Sequence, residues 1–122
     1  MRLTADLILQ SRAFYNPLKE RELDLRGLKI PTIENLGAAE DQFDTIDLSD
    51  NSITKVENLP KFNRLKTIIL NNNRVIKIDD NLGNNLDHVE TLIHILLNEI
   101  EDLEEIAHLK EWKLLNILYN SI

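Results

Sequence analysis

The chain has 122 residues, which is enough for one domain and too few for two ordinary ones. Its 43% hydrophobic and 29% charged residues are typical of a globular protein, and the absence of cysteine excludes disulfides, thiolate metal sites and cysteine nucleophiles. A formal net charge of −7 argues against nucleic-acid binding by overall electrostatic attraction, so any such contact must be local.

The N-terminal segment is predicted to be a helical cap, residues 1–19. Thr4 is a suitable N-cap, and the Asn-Pro pair at 16–17 is expected to end the helix. The opening MRLTADLILQ contains no apolar run long enough for a signal peptide or a membrane span, which favours an intracellular protein. The side chains expected to cover the following residues are Leu7, Ile8 and Phe14.

The rest of the chain repeats one apolar pattern. The segments FDTIDLSDNSI, LKTIILNNNRV and WKLLNILYNSI have apolar residues at their first, fourth, sixth and eleventh positions and Asn at the ninth. ETLIHILLNEI fits except at its first position, and RELDLRGLKI fits with Leu28 in place of Asn. The ninth positions fall at 28, 51, 73, 98 and 120, and their spacings of 23, 22, 25 and 22 residues are typical of leucine-rich repeats.

Each repeat also contains a second apolar series. After Ile53, apolar residues follow at Val56, Leu59, Phe62 and Leu65, a period of three that favours a short helix or 3₁₀ turn. We therefore predict an α/β leucine-rich repeat solenoid, with a curved parallel sheet on its concave face and short helices or 3₁₀ turns on its convex face.

The predicted solenoid is a single domain over residues 1–122. Its repeats lie near 20–42, 43–64, 65–89, 90–111 and 112–122. No C-terminal cap follows the last repeat, so we expect an apolar end that further chain or a partner covers.

The Asn of each repeat has a predicted structural role. It ends the strand where the chain turns inward, and its amide can satisfy backbone groups that the turn would leave unpaired. The predicted ladder consists of Asn51, Asn73, Asn98 and Asn120.

Alternate residues of the predicted strands should line the concave face. We interpret this face as a groove for an amphipathic partner helix, charged at one end and apolar at the other. The alternative is that the register slips after residue 89, so that Leu92 and Leu96 belong to the core. The predicted partner-binding residues are Glu22, Asp24, Arg26, Thr45, Asp47, Thr67, Ile69, Asn71, Leu92 and Leu118.

Charge is unevenly distributed along the chain. The window 58–78 contains five basic residues and no acidic one, which indicates either a phosphate contact or a solvated surface. No arrangement typical of catalysis, metal ligation or phosphate-loop binding is present, so we predict no enzymatic activity, no cofactor, no metal and no small-molecule substrate.

Several segments go beyond the repeat pattern. They are ELDLRG followed by KI, IENLG at 33–37, DQFD at 41–44, and RLKT followed by NNNR. With these segments the stretch 21–75 resembles the A-prime family of the U2 small nuclear ribonucleoprotein, leucine-rich repeat subunits of the spliceosome. The opening LTADLI also resembles the start of that family, whereas only general repeat character remains from residue 84 onward.

The resemblance implies a nuclear role in pre-mRNA splicing. The concave face would bind a helix of an RNA-recognition-motif protein, B-double-prime, and the pair would hold a stem-loop of U2 RNA. It favours Lys19, Arg21, Arg26 and Lys29 as phosphate contacts, beside Lys61, Arg64 and Lys66 from the basic window. The alternative function is a general intracellular leucine-rich repeat adaptor that binds a protein partner without RNA.

Overall fold

A computed structural model describes residues 1–79 and the two strands 92–97 and 115–119. No helix in this described part of the chain is long and apolar enough to cross a membrane. The elements in chain order are α1 Ala5–Gln10, β1 Arg12–Tyr15, β2 Arg21–Asp24, the 3₁₀ turn Leu36–Ala39, β3 Thr45–Asp47, β4 Lys55–Val56, β5 Thr67–Ile69, β6 Lys77–Ile78, β7 Leu92–Leu97 and β8 Leu115–Tyr119.

The main sheet has six strands in the order β1-β2-β3-β5-β7-β8. All neighbours in it are parallel except β1, which is antiparallel to β2. Strands β4 and β6 form a separate parallel pair. A parallel sheet built from one strand per repeat is the predicted solenoid architecture, and it is confirmed.

The core lies beneath this sheet and is almost entirely aliphatic. The register places Ile46 between Leu23 and Ile68, and all three side chains are almost fully buried. Each such burial contributes about 1.5 to 3 kcal/mol. Because a residue of one repeat packs on the same position of the next, the repeats stabilise one another.

The N-terminal segment differs from its prediction. Thr4 does cap α1, since its side-chain oxygen accepts a hydrogen bond from the Leu7 N–H at 3.1 Å. The helix ends at Gln10, however, and not at the Asn-Pro pair, because residues 12–15 extend and pair with β2. Phe14 therefore lies in an edge strand, and the prediction that it belongs to a capping helix is wrong.

The return segment of the second repeat also differs from its prediction. Val56, Leu59 and Phe62 are buried, as the period of three indicated. The described chain between them nevertheless contains no helix, because Asn58 has a left-handed φ of 56° and Pro60 has no backbone N–H to donate. The 3₁₀ turn Leu36–Ala39 is the predicted kind of element in the first repeat.

Asn51 and Asn73 bridge the turns of adjacent repeats. The Asn51 Oδ1 accepts hydrogen bonds from the N–H groups of Leu28 and Ile30, both at 3.0 Å, and its amide donates to the carbonyls of Leu25 and Leu48, both at 2.9 Å. Asn73 repeats the geometry one repeat later, where its Oδ1 accepts from the Ile53 N–H at 3.0 Å. The other two predicted ladder positions, Asn98 and Asn120, lie outside the described residues.

A second pair of asparagines connects the N-terminal segment to the first repeat and the first repeat to the second. Asn35 and Asn58 both have left-handed backbones, with φ values of 60° and 56°. The Asn35 amide donates to the Leu3 carbonyl at 2.8 Å, and the Asn58 amide donates to the Ile33 carbonyl at 2.9 Å. The sequence signal for this pair is the recurrence of Glu-Asn-Leu after an interval of 23 residues, in IENL and VENL.

Candidate functional site

The concave face consists of rows that run across the parallel strands. The register aligns Glu22, Thr45 and Thr67 in one row, and Asp24, Asp47 and Ile69 in the next. Thr45 and Asp47 belong to the middle of these three strands and are only 3% and 8% exposed. Side chains on the flanking strands, about 4.8 Å away on either side, surround these two residues. Their part in partner binding stays a prediction.

The accessible part of this face surrounds the buried pair. Glu22, Asp24, Thr67 and Ile69 are half-buried, and Asn71, just beyond β5, is exposed. A partner would therefore meet carboxylates on β2 and the apolar side chain of Ile69 on β5. This agrees with the predicted change from charged to apolar along the face.

Strand β1 extends the rows by two residues that the prediction missed. Phe14 pairs in register with Glu22, and Arg12 pairs with Asp24. The Arg12 guanidinium lies 4.5 Å from the centre of the Phe14 ring, within the range of a cation–π contact. The segment RAFY shows no polar–apolar alternation, and four residues are too few to distinguish an edge strand from the end of a helix.

Strand β7 keeps the frame of β5. Leu92 pairs in register with Thr67, and Ile93 pairs with Ile68. This register does not support the alternative of a slip after residue 89. Leu118 pairs with Leu96 on the next strand. Leu92 and Leu118 thus occupy register positions of the sheet, and their part in partner binding stays a prediction.

Arg26 organises the acidic side of the concave face. Its Nε lies 3.1 Å from the Asp24 Oδ1 and 3.8 Å from the Asp47 Oδ2. The hydrogen bond from the Arg26 side chain is the main cause that lowers the pKa of Asp24 below its ordinary value. Arg26 was predicted both for partner and for RNA contact. In this structure its charge is shared with two carboxylates, which favours the partner surface.

The DQFD segment supplies acceptors for backbone groups of neighbouring repeats. The Asp41 carboxylate accepts hydrogen bonds from the N–H groups of Asn63 and Arg64. The Asp44 Oδ2 accepts from the Arg21 N–H at 2.8 Å. Two acidic residues outside the repeat consensus thus connect three successive turns. This structural role explains why acidic residues occupy these positions of the segment.

Asp44 also holds the Arg64 side chain. The Arg64 Nε and Nη2 donate to its two oxygens at 3.1 and 3.2 Å. These bonds are the largest cause of the lowered pKa of Asp44. Nearby, the Lys66 ammonium lies 3.7 Å from a Glu20 oxygen. Two of the predicted RNA contacts therefore already have acidic partners.

The predicted RNA contacts do not form one cluster. Arg21, Arg64 and Lys66 lie at the edge of the sheet where β2 and β5 begin, which we call the strand-start edge, and Lys19 precedes the same edge. Arg26 and Lys29 follow the end of β2 at the opposite edge. Lys19, Lys29 and Lys61 are exposed and form no ion pair with other residues of the described part.

Comparison with known proteins identifies the family. A family model described as leucine-rich repeat matches residues 1–122. The chain belongs to the leucine-rich repeat family. This leucine-rich repeat chain is 53% identical over 125 residues to the U2 small nuclear ribonucleoprotein A′ of Arabidopsis thaliana, covering 100% of the chain and 50% of that relative. It is 48% identical over 124 residues to the human protein of the same name, covering 100% of the chain and 49% of that relative.

A solved structure agrees with these relatives. The chain matches a chain in the crystal structure of the Drosophila melanogaster SNF/U2A′ complex with a TM-score of 0.87 and 47% identity, over 97% of this chain and 67% of that one. The resemblance indicated by the DQFD and NNNR segments is therefore confirmed. This leucine-rich repeat chain spans about half the length of the curated relatives it matches.

Proposed function

We propose that this chain is the leucine-rich repeat part of a U2 small nuclear ribonucleoprotein subunit. In this role it binds an RNA-recognition-motif protein through its concave face and helps it hold a U2 RNA stem-loop in splicing. The observation that carries the proposal is the similarity along the whole chain to proteins named U2A′ and to a U2A′ solved in complex with SNF.

The geometry of the concave face supports a helical occupant. From β2 to β5 the sheet spans about 10 Å, which is about the diameter of an α-helix with its side chains. A helix lying on this face would meet the Glu22 carboxylate and the Asp24–Arg26 ion pair on one side and Ile69 on the other. The helix proposed here therefore has polar residues, with a cation for Glu22, on one side and apolar residues on the other.

RNA binding is proposed to depend on the partner. The chain has a net charge of −7, and Arg26, Arg64 and Lys66 already form ion pairs with acidic residues. Such cations release fewer counterions when they meet phosphates, so the chain alone should bind RNA weakly. Lys19, Arg21, Lys29 and Lys61 are the remaining proposed contacts.

This leucine-rich repeat part is proposed to be a scaffold that acts in the nucleus and carries out no reaction of its own. The concave-face residues hold the partner helix, and the asparagine ladder holds the repeats in register. Within the described part of the chain, no cluster of His, Cys, Asp and Glu could hold a metal ion.

Two measurements test this function. The chain, an RNA-recognition-motif partner that co-purifies with it, and their mixture are titrated separately with a U2 stem-loop at physiological salt. We expect the mixture to bind more tightly than the partner alone, and the chain alone to bind more weakly than micromolar. Micromolar or tighter binding by the isolated chain would refute the dependence on the partner.

Co-purification with RNA sequencing separates the two functions. Recovery of an RNA-recognition-motif protein together with U2 RNA supports the proposed function. Recovery of a different protein partner, such as a phosphatase subunit, without enriched RNA would instead support the general adaptor.

A further inference from the structure

Arg21 is held at the strand-start edge by two aromatic rings. Its guanidinium carbon lies 5.3 Å from the centre of the Phe43 ring and 5.9 Å from the centre of the Tyr15 ring. Both distances are within the range of cation–π attraction. The guanidinium is therefore positioned by stacking.

The charge of Arg21 is not neutralised by an acidic residue. Its Nε is buried and forms no hydrogen bond within the described part of the chain, and no ion pair of its guanidinium occurs there. Two carboxylates near the Arg21 backbone and Lys66 already have other cationic partners, because Asp44 accepts from Arg64 and Glu20 pairs with Lys66. The positive charge of Arg21 is therefore not balanced by an ion pair in the described part of the chain.

Tyr15 is an exposed aromatic residue at the same place. It pairs in register with Arg21, and its side chain remains 67% exposed. An accessible aromatic ring thus lies beside the Arg21 guanidinium, which has no acidic partner in the described part of the chain.

We propose that Tyr15, together with Arg21, forms an RNA contact at the strand-start edge. The Tyr15 ring stacks on an unpaired base, and the Arg21 guanidinium contacts the adjacent phosphate. This inference rests on the proposed function and adds to it a residue for base stacking, since Tyr15 is absent from the predicted contacts. Unpaired RNA bases are commonly recognised by such stacking on aromatic rings beside arginines.

The charges at this edge favour RNA over a protein ligand. Lys19 precedes Arg21 and is exposed, so two cations without an ion pair in the described part of the chain lie here, near one exposed carboxylate, that of Asp41. An acidic peptide would also be attracted, but a flat exposed ring beside cations suits a base attached to a phosphate. Binding of a protein at this edge is treated as an outcome of the test.

The test uses the complete complex of the chain, its RNA-recognition-motif partner and the U2 stem-loop. We expect Tyr15→Ala to weaken RNA binding by about 5- to 100-fold, the effect of losing one stacked base. Tyr15→Phe keeps the ring and should retain most of the affinity. Leu18→Ala is the matched control, because Leu18 is 78% exposed in the adjacent loop and should not affect binding.

A second readout separates stacking from charge. Arg21→Gln removes one phosphate contact, so a plot of log affinity against log salt concentration should become less steep by about 1. Tyr15→Ala should leave this slope unchanged. Ultraviolet cross-linking of a stem-loop with 4-thiouridine in its single-stranded positions should attach RNA to the peptide containing Tyr15. Melting curves of each variant establish that the chain remains folded.

The failures can be distinguished. If the wild-type complex does not bind the stem-loop, the proposed function is wrong and this inference with it. If the wild-type complex binds while Tyr15→Ala binds equally well, the inference alone is overturned. If Tyr15→Ala weakens binding of the partner protein in the absence of RNA, the edge is a protein contact and the inference is again overturned.

Discussion

Replacing Asn51 with Leu tests how the turns of the solenoid are held together. The Asn51 Oδ1 accepts two backbone N–H groups, those of Leu28 and Ile30, and its amide donates to three carbonyls. Leucine has similar size but cannot make any of these bonds. The substitution therefore leaves backbone groups unpaired without creating a large cavity.

The magnitude follows from the number of buried donors. An unsatisfied buried donor costs about 1 to 3 kcal/mol, so losing both acceptor bonds gives about 2 to 6 kcal/mol. Leu28 is only half-buried and can recover water, so we expect the lower half of that range. Asn73→Leu removes the acceptor of the Ile53 N–H. The free energy of unfolding should therefore fall by about 1 to 3 kcal/mol.

Urea unfolding followed by circular dichroism measures both losses in the full chain. Asn51→Asp is the informative companion, because it keeps one acceptor oxygen but turns a charged oxygen toward three carbonyls, so it should also destabilise the chain at neutral pH. Ser52→Ala, at an exposed neighbouring position, should stay within about 0.5 kcal/mol of wild type. The reasoning would be refuted if Asn51→Leu were as stable as Ser52→Ala, or if Asn73→Leu cost more than Asn51→Leu.

Three further perturbations test other parts of the structure. The pKa of Asp44 is lower in the folded protein than the value of about 3.9 for an unfolded carboxyl group. The ionised side chain therefore stabilises the protein above about pH 3.9, and this stabilisation is lost as the pH falls through the folded pKa. The stability difference between wild type and Asp44→Asn should therefore be constant at neutral pH and shrink in acid; a difference that persists unchanged at pH 2 would contradict this. Gly27 has a φ of 66° with open space around it, so Gly27→Ala should cost about 1 kcal/mol of unfolding free energy and Gly27→Asn less; equal costs in urea unfolding would be the contrary result. Thr4→Ala should lower that free energy by about 1 kcal/mol through the lost helix cap, and an unchanged urea midpoint would argue against the cap.

The repeats could be predicted from the sequence because the same apolar and asparagine positions recur at regular intervals. Ile46 and Ile68 recur at the same frame position, and burial of one face of each strand fixes which residues lie in the core. The asparagine positions follow for the same reason, since the turn that Asn51 serves recurs at Asn73. Local pattern and tertiary packing agree at these residues.

The features that the sequence did not reveal depend on contacts distant along the chain. Strand β1 exists because residues 12–15 pair with β2, and its pattern of mostly exposed side chains carries little signal. Arg64 pairs with Asp44, 20 residues away, and Lys66 pairs with Glu20. Runs of charge in the sequence do not show such pairings, so the basic window overstated the free charge available for RNA.

The accessibility of the concave face was also only partly predictable. Alternation correctly places Thr45 and Asp47 on the same face as Ile69. It cannot show that neighbouring strands cover the first two side chains while leaving Ile69 half-exposed, because that depends on how the strands pack side by side. The accessible part of the face in the described chain is therefore smaller than the predicted set, while the set's part in partner binding stays a prediction.

The most direct test of the central claim is the affinity of the full chain for its RNA-recognition-motif partner after Ile69→Asp, measured by titration calorimetry. Ile76→Asp is the matched control, because Ile76 is 51% exposed and lies outside the rows of the concave face. We expect Ile69→Asp to abolish binding with an unchanged melting temperature, and Ile76→Asp to bind like wild type. Binding that survives Ile69→Asp, or is lost equally in both variants, would contradict the concave face as the partner site.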